Sequence, residues 1–204
     1  KLGDAVCSLS SLLYKLKEEA YKDSLILARE VTSLLKELIE FLPIKDKPVI
    51  YTIKDKKIVD FIKNTDLVVF EQISHWCGID VEYFKADKRK LPETIVNKNG
   101  EEVTLEEPFY TFQVDSWKYI PLKKARERVK DLNIVEIGDN KHSIANTLAI
   151  MNKAEGHIGA DSGMVHLAMT VMKPEAVHCL VPEGHPYTHP VGILITKGAK
   201  VEKV

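Results

Sequence analysis

From residue 109 onward, short apolar runs of strand length alternate with segments of helical period, and this alternation limits the fold more than any other sequence feature. Strands that alternate with helices predict a parallel sheet with right-handed crossovers and ligands beyond the carboxyl ends of the strands. The fold class is therefore predicted as α/β. The predicted strands are Phe109 to Val114, Ile134 to Gly138, Gly156 to Ala160 and Val177 to Val181, and the predicted helices are Leu122 to Leu132, Ser143 to Asn152 and Gly163 to Met172.

The first half of the chain carries a similar alternation. We expect a helix over residues 5–21, strands at 24–28, 49–53 and 67–70, a helical patch at 59–62, and a helix that ends before Pro43. Between Lys85 and Pro108 the chain turns charged and includes the Asn99-Gly100 pair, which favours a hairpin. We therefore predict two small Rossmann-like lobes with a cleft between them: a first lobe at 1–90, a connector at 91–107 and a second lobe at 108–204.

Composition excludes some classes of protein. With 45% hydrophobic and 29% charged residues among 204, the chain is not expected to be disordered. Its formal net charge of -1 gives no global attraction to nucleic acid or anionic membranes. No apolar run is long enough to cross a bilayer and no signal-peptide pattern opens the sequence, so we expect a cytoplasmic protein. Cys7, Cys77 and Cys179 are widely spaced and odd in number, which favours reduced thiols.

The segment from Gly156 to Ala168 combines a strand, a sharp turn and the start of a helix. The backbone N–H groups of Ser162, Gly163 and Met164 are expected to hold a phosphate, because N–H groups at a helix start have no intrahelical partner. Asp161 supplies a carboxylate suited to sugar hydroxyls. An equally ordinary interpretation is that Asp161 or Ser162 only caps the helix.

Two further loops follow predicted strands at the same edge of the sheet. One contains Gly138 and Asp139, and the other contains Ser116 and Lys118. Lys118 is a candidate to neutralise a phosphate, and Ser116 to donate a hydrogen bond to it. Each residue by itself is also a common turn or surface residue, so the prediction of a site depends on their convergence.

Two segments near opposite ends of the chain resemble the heptosyltransferase-like glycosyltransferases, and they occur in the same order as in that family. IGADSGMVHLA is similar to the C-terminal signature of that family, and LGDAVCSLSSLLYKLKE is similar to its N-terminal segment. The resemblance implies a GT-B arrangement, with the acceptor site in the N-terminal lobe and the nucleotide-sugar site in the C-terminal lobe. It implies inverting transfer to an acceptor hydroxyl without a metal cofactor. Family members usually have considerably longer chains, so the acceptor lobe is the least transferable part.

Site residues follow from the resemblance by position. Asp4 matches the carboxylate thought to act as general base, Lys118 the lysine at the donor phosphates, and Asp161 the aspartate at the donor sugar. The nucleotide-sugar donor is a co-substrate, and the acceptor is left open as a saccharide, a lipid-linked glycan, a small molecule or a modified nucleic acid. A loop from Pro182 to Pro190 is expected above the diphosphate, with His185, Tyr187 or Thr188 reaching the donor. The residues predicted to bind the nucleotide sugar are Ser116, Lys118, Gly138, Asp139, Asp161, Ser162, Gly163 and His166, of which the last three line the diphosphate.

Three alternatives stay open. A non-catalytic nucleotide-sugar or nucleotide-binding protein would keep the Asp161 site and have a dispensable Asp4. A protein acting on nucleic acid would use two basic runs, Lys85, Lys88, Arg89 and Lys90, and Lys123, Lys124, Arg126 and Arg128. A zinc protein would draw its ligands from His157, His166, His178, His185 and His189, with Cys179 and Glu183 nearby.

Overall fold

The structure is a computed structural model, and it describes residues 2–3, 5–7, 9–10, 26–28, 32–43, 50–52, 83–115, 120–138, 141–184 and 189–204. The chain separates into two compact units, the first from Lys1 to Asp87 and the second from Lys88 to Val204.

The first unit contains a short parallel pair of strands. Strand β1 (Ile26–Ala28) pairs with β2 (Ile50–Thr52), and helix α1 (Thr32–Ile39) lies between them in the chain. These elements confirm the strands expected within 24–28 and 49–53 and the helix expected before Pro43. The predicted strand at 67–70 and the helical patch at 59–62 lie outside the described residues.

The core of the first unit joins its N-terminal segment to residues near its end. Val6, Leu9, Leu38 and Leu42 are at most 1% exposed. The Ser10 hydroxyl donates to the Val6 carbonyl at 2.7 Å and accepts the backbone N–H of Phe84 at 3.2 Å. The described residues among 2–10 are helical, in line with the helix expected over 5–21.

The second unit is built on a five-stranded sheet in which every pairing is parallel. The strand order is β4-β3-β5-β6-β7. The sequence predicted four of the five strands within a residue or so, and the α/β fold class with a parallel sheet is confirmed for this unit. The strands are β3 (Tyr110–Gln113), β4 (Ile134–Ile137), β5 (Gly156–Ala160), β6 (Val177–Val181) and β7 (Lys200–Lys203).

A helix connects each strand of this sheet to the next. Residues expected at the ends of the first and third of these helices form turns instead, so those helices stop at Glu127 and Ala168. Serine hydroxyls cap α3 and α4, because Ser143 accepts the N–H of Asn146 and Ser162 accepts that of Met164. The helices are α2 (Leu122–Glu127), α3 (Ile144–Lys153), α4 (Gly163–Ala168) and α5 (His189–Thr196).

The last helix and the last strand were absent from the sequence prediction. Helix α5 begins at His189, inside the stretch from Pro182 to Pro190 that was expected as a loop. Its sequence, HPVGILIT, is apolar nearly throughout and includes a glycine, so no 3.6-residue period distinguishes it. Strand β7 has lysine at both ends and only one apolar residue, as expected of a strand at the edge of a sheet.

The two faces of the sheet differ in chemistry. Phe112, Ile158 and Leu180 belong to an apolar cluster that includes Ala125 of α2 and Val129 just after it. On the opposite face, side chains alternate with these residues, and Val165 of α4 lies against Gly159 of β5. That second face carries the polar side chains of Thr111, Gln113 and His157, all at most 1% exposed.

The charged segment before the sheet contains the hairpin predicted at Asn99-Gly100. Val96 bridges to Glu102, and Gly100 has a φ of 82°, as a three-residue hairpin loop requires. The backbone N–H of Val96 also donates to the side chain of Asn146 in α3, and that of Lys98 donates to the carbonyl of Lys141. The stretch expected as a connector is thus hydrogen bonded to the start of α3 and belongs to the second unit.

Candidate functional site

The strand order of the second unit creates a crevice at one position. From β3 the chain crosses to β4 on one side, and β5 then lies on the other side of β3. Loops that leave two adjacent strands in opposite directions separate beyond the strand ends, and ligands of open α/β sheets bind in the crevice formed there. The carboxyl ends of β3 and β5 therefore mark the candidate site of this unit.

Polar residues from both strands meet at this position. Gln113 ends β3 and is 1% exposed, so its amide lies below the surface. Its Nε2 donates to Asp115 Oδ1 at 2.9 Å, and its Oε1 accepts the hydroxyl of Ser162 at 2.8 Å. Asp115 and Ser162 are both half-buried. One buried amide thus connects the loop after β3 to the start of α4 across the crevice.

Ser162 is a helix cap as well as a member of this network. Its backbone is extended, with a φ of -154°, and its Oγ accepts the N–H of Met164 at 3.3 Å. The hydroxyl proton is donated to Gln113. Of the three N–H groups expected at a phosphate, that of Met164 is therefore already donated within the protein.

Gly138, at the end of β4, lies directly beside Asp115. Its φ is 95°, a conformation that favours glycine. A Cβ atom at this position would lie 2.5 Å from Asp115 Oδ1 and 2.9 Å from its Cγ. Gly138 therefore permits the close approach of the Asp115 carboxylate to the backbone, and this predicted site residue lies at the same edge as Asp161 and Ser162.

Replacing Gly138 with alanine should destabilise the chain more than the same change at Gly100. Both glycines have positive φ, which costs an alanine about 1–2 kcal/mol, but only at Gly138 must the Asp115 carboxylate also move. For each 1 kcal/mol by which the free energy of unfolding of G138A is lower than that of G100A, we expect its melting temperature to be about 2–4 °C lower. Equal melting temperatures of the two variants would show that the approach of Asp115 carries no cost.

A fully buried histidine lies beneath the network. His157 is 0% exposed, and its Nδ1 lies 3.1 Å from the hydroxyl oxygen of Thr111. That hydroxyl donates to the carbonyl of Gly156, so the histidine proton belongs on Nδ1. Within the described part of the chain, Nε2 has no hydrogen-bond partner. Burial lowers the pKa of His157 from 6.5 to about 3, so this side chain is neutral at physiological pH.

Gly159 makes room for both polar groups at the floor of the site. A Cβ on this residue would lie 2.8 Å from Gln113 Oε1 and 2.8 Å from His157 Nε2. Real Cβ atoms do not approach other atoms so closely, so any side chain here would displace one of the two. The absence of a side chain at Gly159 thus lets Gln113 occupy its position.

Asp161 and His166 lie in different environments. Asp161 follows β5 and is half-buried, whereas His166 in α4 is 3% exposed. Asp161 is therefore partly accessible at the carboxyl edge, while His166 is part of the packed interior.

Burial, and to a smaller extent the charge of Asp161, raises the pKa of the Cys179 thiol, which therefore stays protonated.

The structure describes the positions of only some of the predicted site residues. Gly138, Asp161, Ser162 and Gly163 lie at the carboxyl edge of one sheet, and His166 lies one turn into α4. Gln113 was missed by the sequence analysis, although a buried glutamine in the strand sequence YTFQ is itself a signal, because strands of parallel sheets are usually apolar. Asp4, Ser116, Lys118 and Asp139 lie outside the described residues, as do His185, Tyr187 and Thr188.

The structure also bears on two of the alternatives, the zinc protein and the protein that acts on nucleic acid. Among the described residues, no three His, Cys, Asp or Glu side chains are placed to hold a metal ion, and His178 lies 3.2 Å from Glu202. In the second basic run, Arg126 pairs with Glu136, and Arg128 with Glu202, so acidic partners offset half of its charge. A search of the described helices finds none with the length and apolar character to cross a membrane.

Comparisons with models of known protein families, with curated proteins and with solved structures found no match to this chain.

Proposed function

We propose that this chain is a glycosyltransferase that binds a nucleotide-sugar donor at the carboxyl edge of its second unit and transfers the sugar, with inversion, to an acceptor hydroxyl. The observation that carries the proposal is the convergence of Asp115, Ser162 and Gln113 at the crevice between β3 and β5. In open α/β sheets, ligands bind in this crevice, and in dinucleotide-binding folds an acidic side chain hydrogen-bonds a ribose hydroxyl. Asp161, at the end of β5, adds a second carboxylate there.

Inverting transfer sets two chemical requirements. A base must accept the proton of the acceptor hydroxyl, and positive charge or N–H groups must stabilise the leaving diphosphate. The proposal assigns the base to Asp4 and the diphosphate to Lys118, with Ser116 and Asp139 completing the donor site. In this GT-B arrangement of two Rossmann-like lobes around a cleft, the first lobe holds the acceptor. Transfer requires no metal ion, and the proposed compartment is the cytoplasm.

Asp161→Asn should weaken donor binding about 10- to 100-fold, because a hydrogen bond to a charged group is worth about 1.5–3 kcal/mol. The measurement is a thermal-shift panel of UDP-, GDP-, ADP- and CMP-sugars with the full chain, followed by calorimetric titration of each ligand that raises the melting temperature. Asp131→Asn is the matched control, since Asp131 is an exposed aspartate in the same unit. The proposal fails if no member of the panel shifts the wild-type protein.

A non-catalytic nucleotide-sugar-binding protein is the second candidate. It would bind the donor at the same carboxyl edge of the second unit and would need no base from the first unit. Such a protein would bind a donor in the panel and release no free nucleotide over time. Donor-dependent release of nucleotide in the presence of an acceptor would instead support the transferase.

A further inference from the structure

We infer that Gln113 is a positioning residue that fixes Ser162, beside the Asp115 carboxylate, as a hydrogen-bond acceptor for a sugar hydroxyl, so that this part of the site receives the sugar and not the diphosphate. The inference deepens the proposed function and rests on it. It changes the assignment of Ser162, which the sequence placed at the diphosphate.

The direction of each hydrogen bond in the network follows from simple chemistry. An ionised carboxylate only accepts, so the Gln113 group that faces Asp115 must be the NH₂ of its amide. The amide oxygen then faces Ser162, and the serine hydroxyl must donate to it. From Met164 N–H through Ser162 and Gln113 to Asp115, every bond donates in the same direction, and such chains polarise each member.

This direction decides what Ser162 offers to a ligand. A hydroxyl has one proton and two lone pairs. The proton is donated to Gln113, and one lone pair accepts the N–H of Met164. The lone pair that is left suits a ligand group that donates a hydrogen bond. A sugar hydroxyl has such a proton, whereas an ionised phosphoryl oxygen does not.

Gln113 acts through its neighbours and not by contact. It is 1% exposed, while Asp115 and Ser162 are half-buried at the crevice. Gly159 leaves room for this amide, because Oε1 of Gln113 lies only 2.8 Å from where a Cβ of Gly159 would be. A glutamine that is buried and bonded at both ends cannot rotate to reverse its donor and acceptor ends without breaking two hydrogen bonds.

The test compares ligands that do and do not carry a sugar. Calorimetric titration of the full chain uses UDP-glucose, ADP-glucose and GDP-mannose, each beside its own nucleoside diphosphate, together with inorganic pyrophosphate. Ser162→Ala and Gln113→Leu should weaken binding of the nucleotide sugar about 3- to 10-fold, the value of one ordinary hydrogen bond, and leave the nucleoside diphosphate and pyrophosphate unchanged. Ser162→Thr keeps the hydroxyl and should restore the affinity.

Ser143→Ala is the matched control for loss of a helix cap. Ser143 caps α3 as Ser162 caps α4, but it lies outside the Gln113 network. This variant should lose comparable stability and keep the ratio of affinities for nucleotide sugar and nucleoside diphosphate. If Gln113→Leu fails to fold, Ser162→Ala and Ser162→Thr decide the question by themselves.

Failure of this inference and failure of the proposed function give different results. If Ser162→Ala weakens the nucleoside diphosphate or pyrophosphate as much as the nucleotide sugar, Ser162 belongs to the diphosphate and the inference is overturned, while the proposed function survives. If the wild-type protein binds none of the nucleotide sugars, the proposed function fails, and the sugar assignment falls with it.

Discussion

Lowering the pH from 6.5 to 4.5 should cost the folded chain roughly 2 kcal/mol of stability through His157 alone, because each pH unit between the folded-state and unfolded-state pKa values costs up to about 1.36 kcal/mol. Burial lowers the pKa of this side chain from 6.5 to about 3. Between these two values the unfolded chain binds a proton that the folded chain does not. Stability is therefore complete above pH 6.5 and falls as the pH approaches 3.

The cause lies in the surroundings of the imidazole. Its Nδ1 is satisfied by Thr111, but a proton on Nε2 would place a charge where no hydrogen-bond partner is present among the described residues. Glu136, whose pKa is lowered by hydrogen bonds from Lys141 and Arg126 against the effect of burial, adds acid sensitivity only below its ordinary value of 4.5. The window from 6.5 to 4.5 thus separates the histidine effect from that carboxylate.

His157→Asn tests this prediction. Asparagine can keep a hydrogen bond to Thr111 and cannot be protonated, so stability should vary far less with pH between 6.5 and 4.5. The chain has two tryptophans, Trp76 and Trp117, so a Trp76→Phe background leaves a single fluorescent reporter in the second unit. Urea titrations at several pH values in this background give the free energy of unfolding.

His178→Asn is the matched control. Burial also lowers the pKa of His178, but this side chain is only half-buried and Glu202 opposes the shift. Its removal should leave most of the acid sensitivity in place. If His157→Asn keeps the pH dependence of the wild type, His157 is not the buried group responsible.

Asp4→Asn should lower the rate of sugar transfer about 100- to 10 000-fold and leave donor affinity within about twofold, because removing a general base affects the reaction and not the binding of the donor. Asp4 lies outside the described residues, so this prediction depends on the resemblance of LGDAV to the family's N-terminal segment. The measurement pairs calorimetric donor titration with release of the nucleoside diphosphate in the presence of an acceptor.

Its control is Asp23→Asn, a second aspartate of the first unit that no motif assigns to the site. Transfer abolished with binding retained in Asp4→Asn alone supports the enzyme over a binding protein. Unchanged transfer would remove Asp4 from the role of base. Loss of binding together with transfer would point to misfolding of the first unit or to an Asp4 that contacts the donor.

Much of the second unit could be predicted from its sequence, since each predicted element has a local cause. Strand β5 and strand β6 were located to the residue, because each is a five-residue stretch without acidic or lysine and arginine side chains that turn-forming residues follow, Asp-Ser-Gly in one case and Pro-Glu-Gly in the other. The hairpin at Asn99-Gly100 was located because the loop needs a residue with positive φ. Helix α5 was missed because its nearly continuous apolar sequence has no 3.6-residue period, and strand β7 was missed because only one of its four residues is apolar.

The candidate site likewise has one part that could be predicted from the sequence and one part that could not. The segment from Gly156 to Ala168 identified the end of β5 as a site, because a strand, a glycine turn and a capped helix are readable within thirteen residues. The hydrogen-bond partner of the Ser162 hydroxyl could not be predicted from this segment. Gln113 is 49 residues away in the chain, and it reaches Ser162 only because β3 and β5 are neighbours in the sheet.

The sequence by itself determined the α/β class and the strand ends at which polar residues gather, because periodicity and turn residues act over a few positions. Only the tertiary structure decided the strand order, since pairing between distant strands depends on packing across the whole sheet. That order places β3 beside β5, buries Gln113 between Asp115 and Ser162, and directs the serine proton into the protein. The chemistry that Ser162 offers to a ligand is therefore a property of the fold and not of the motif that contains it.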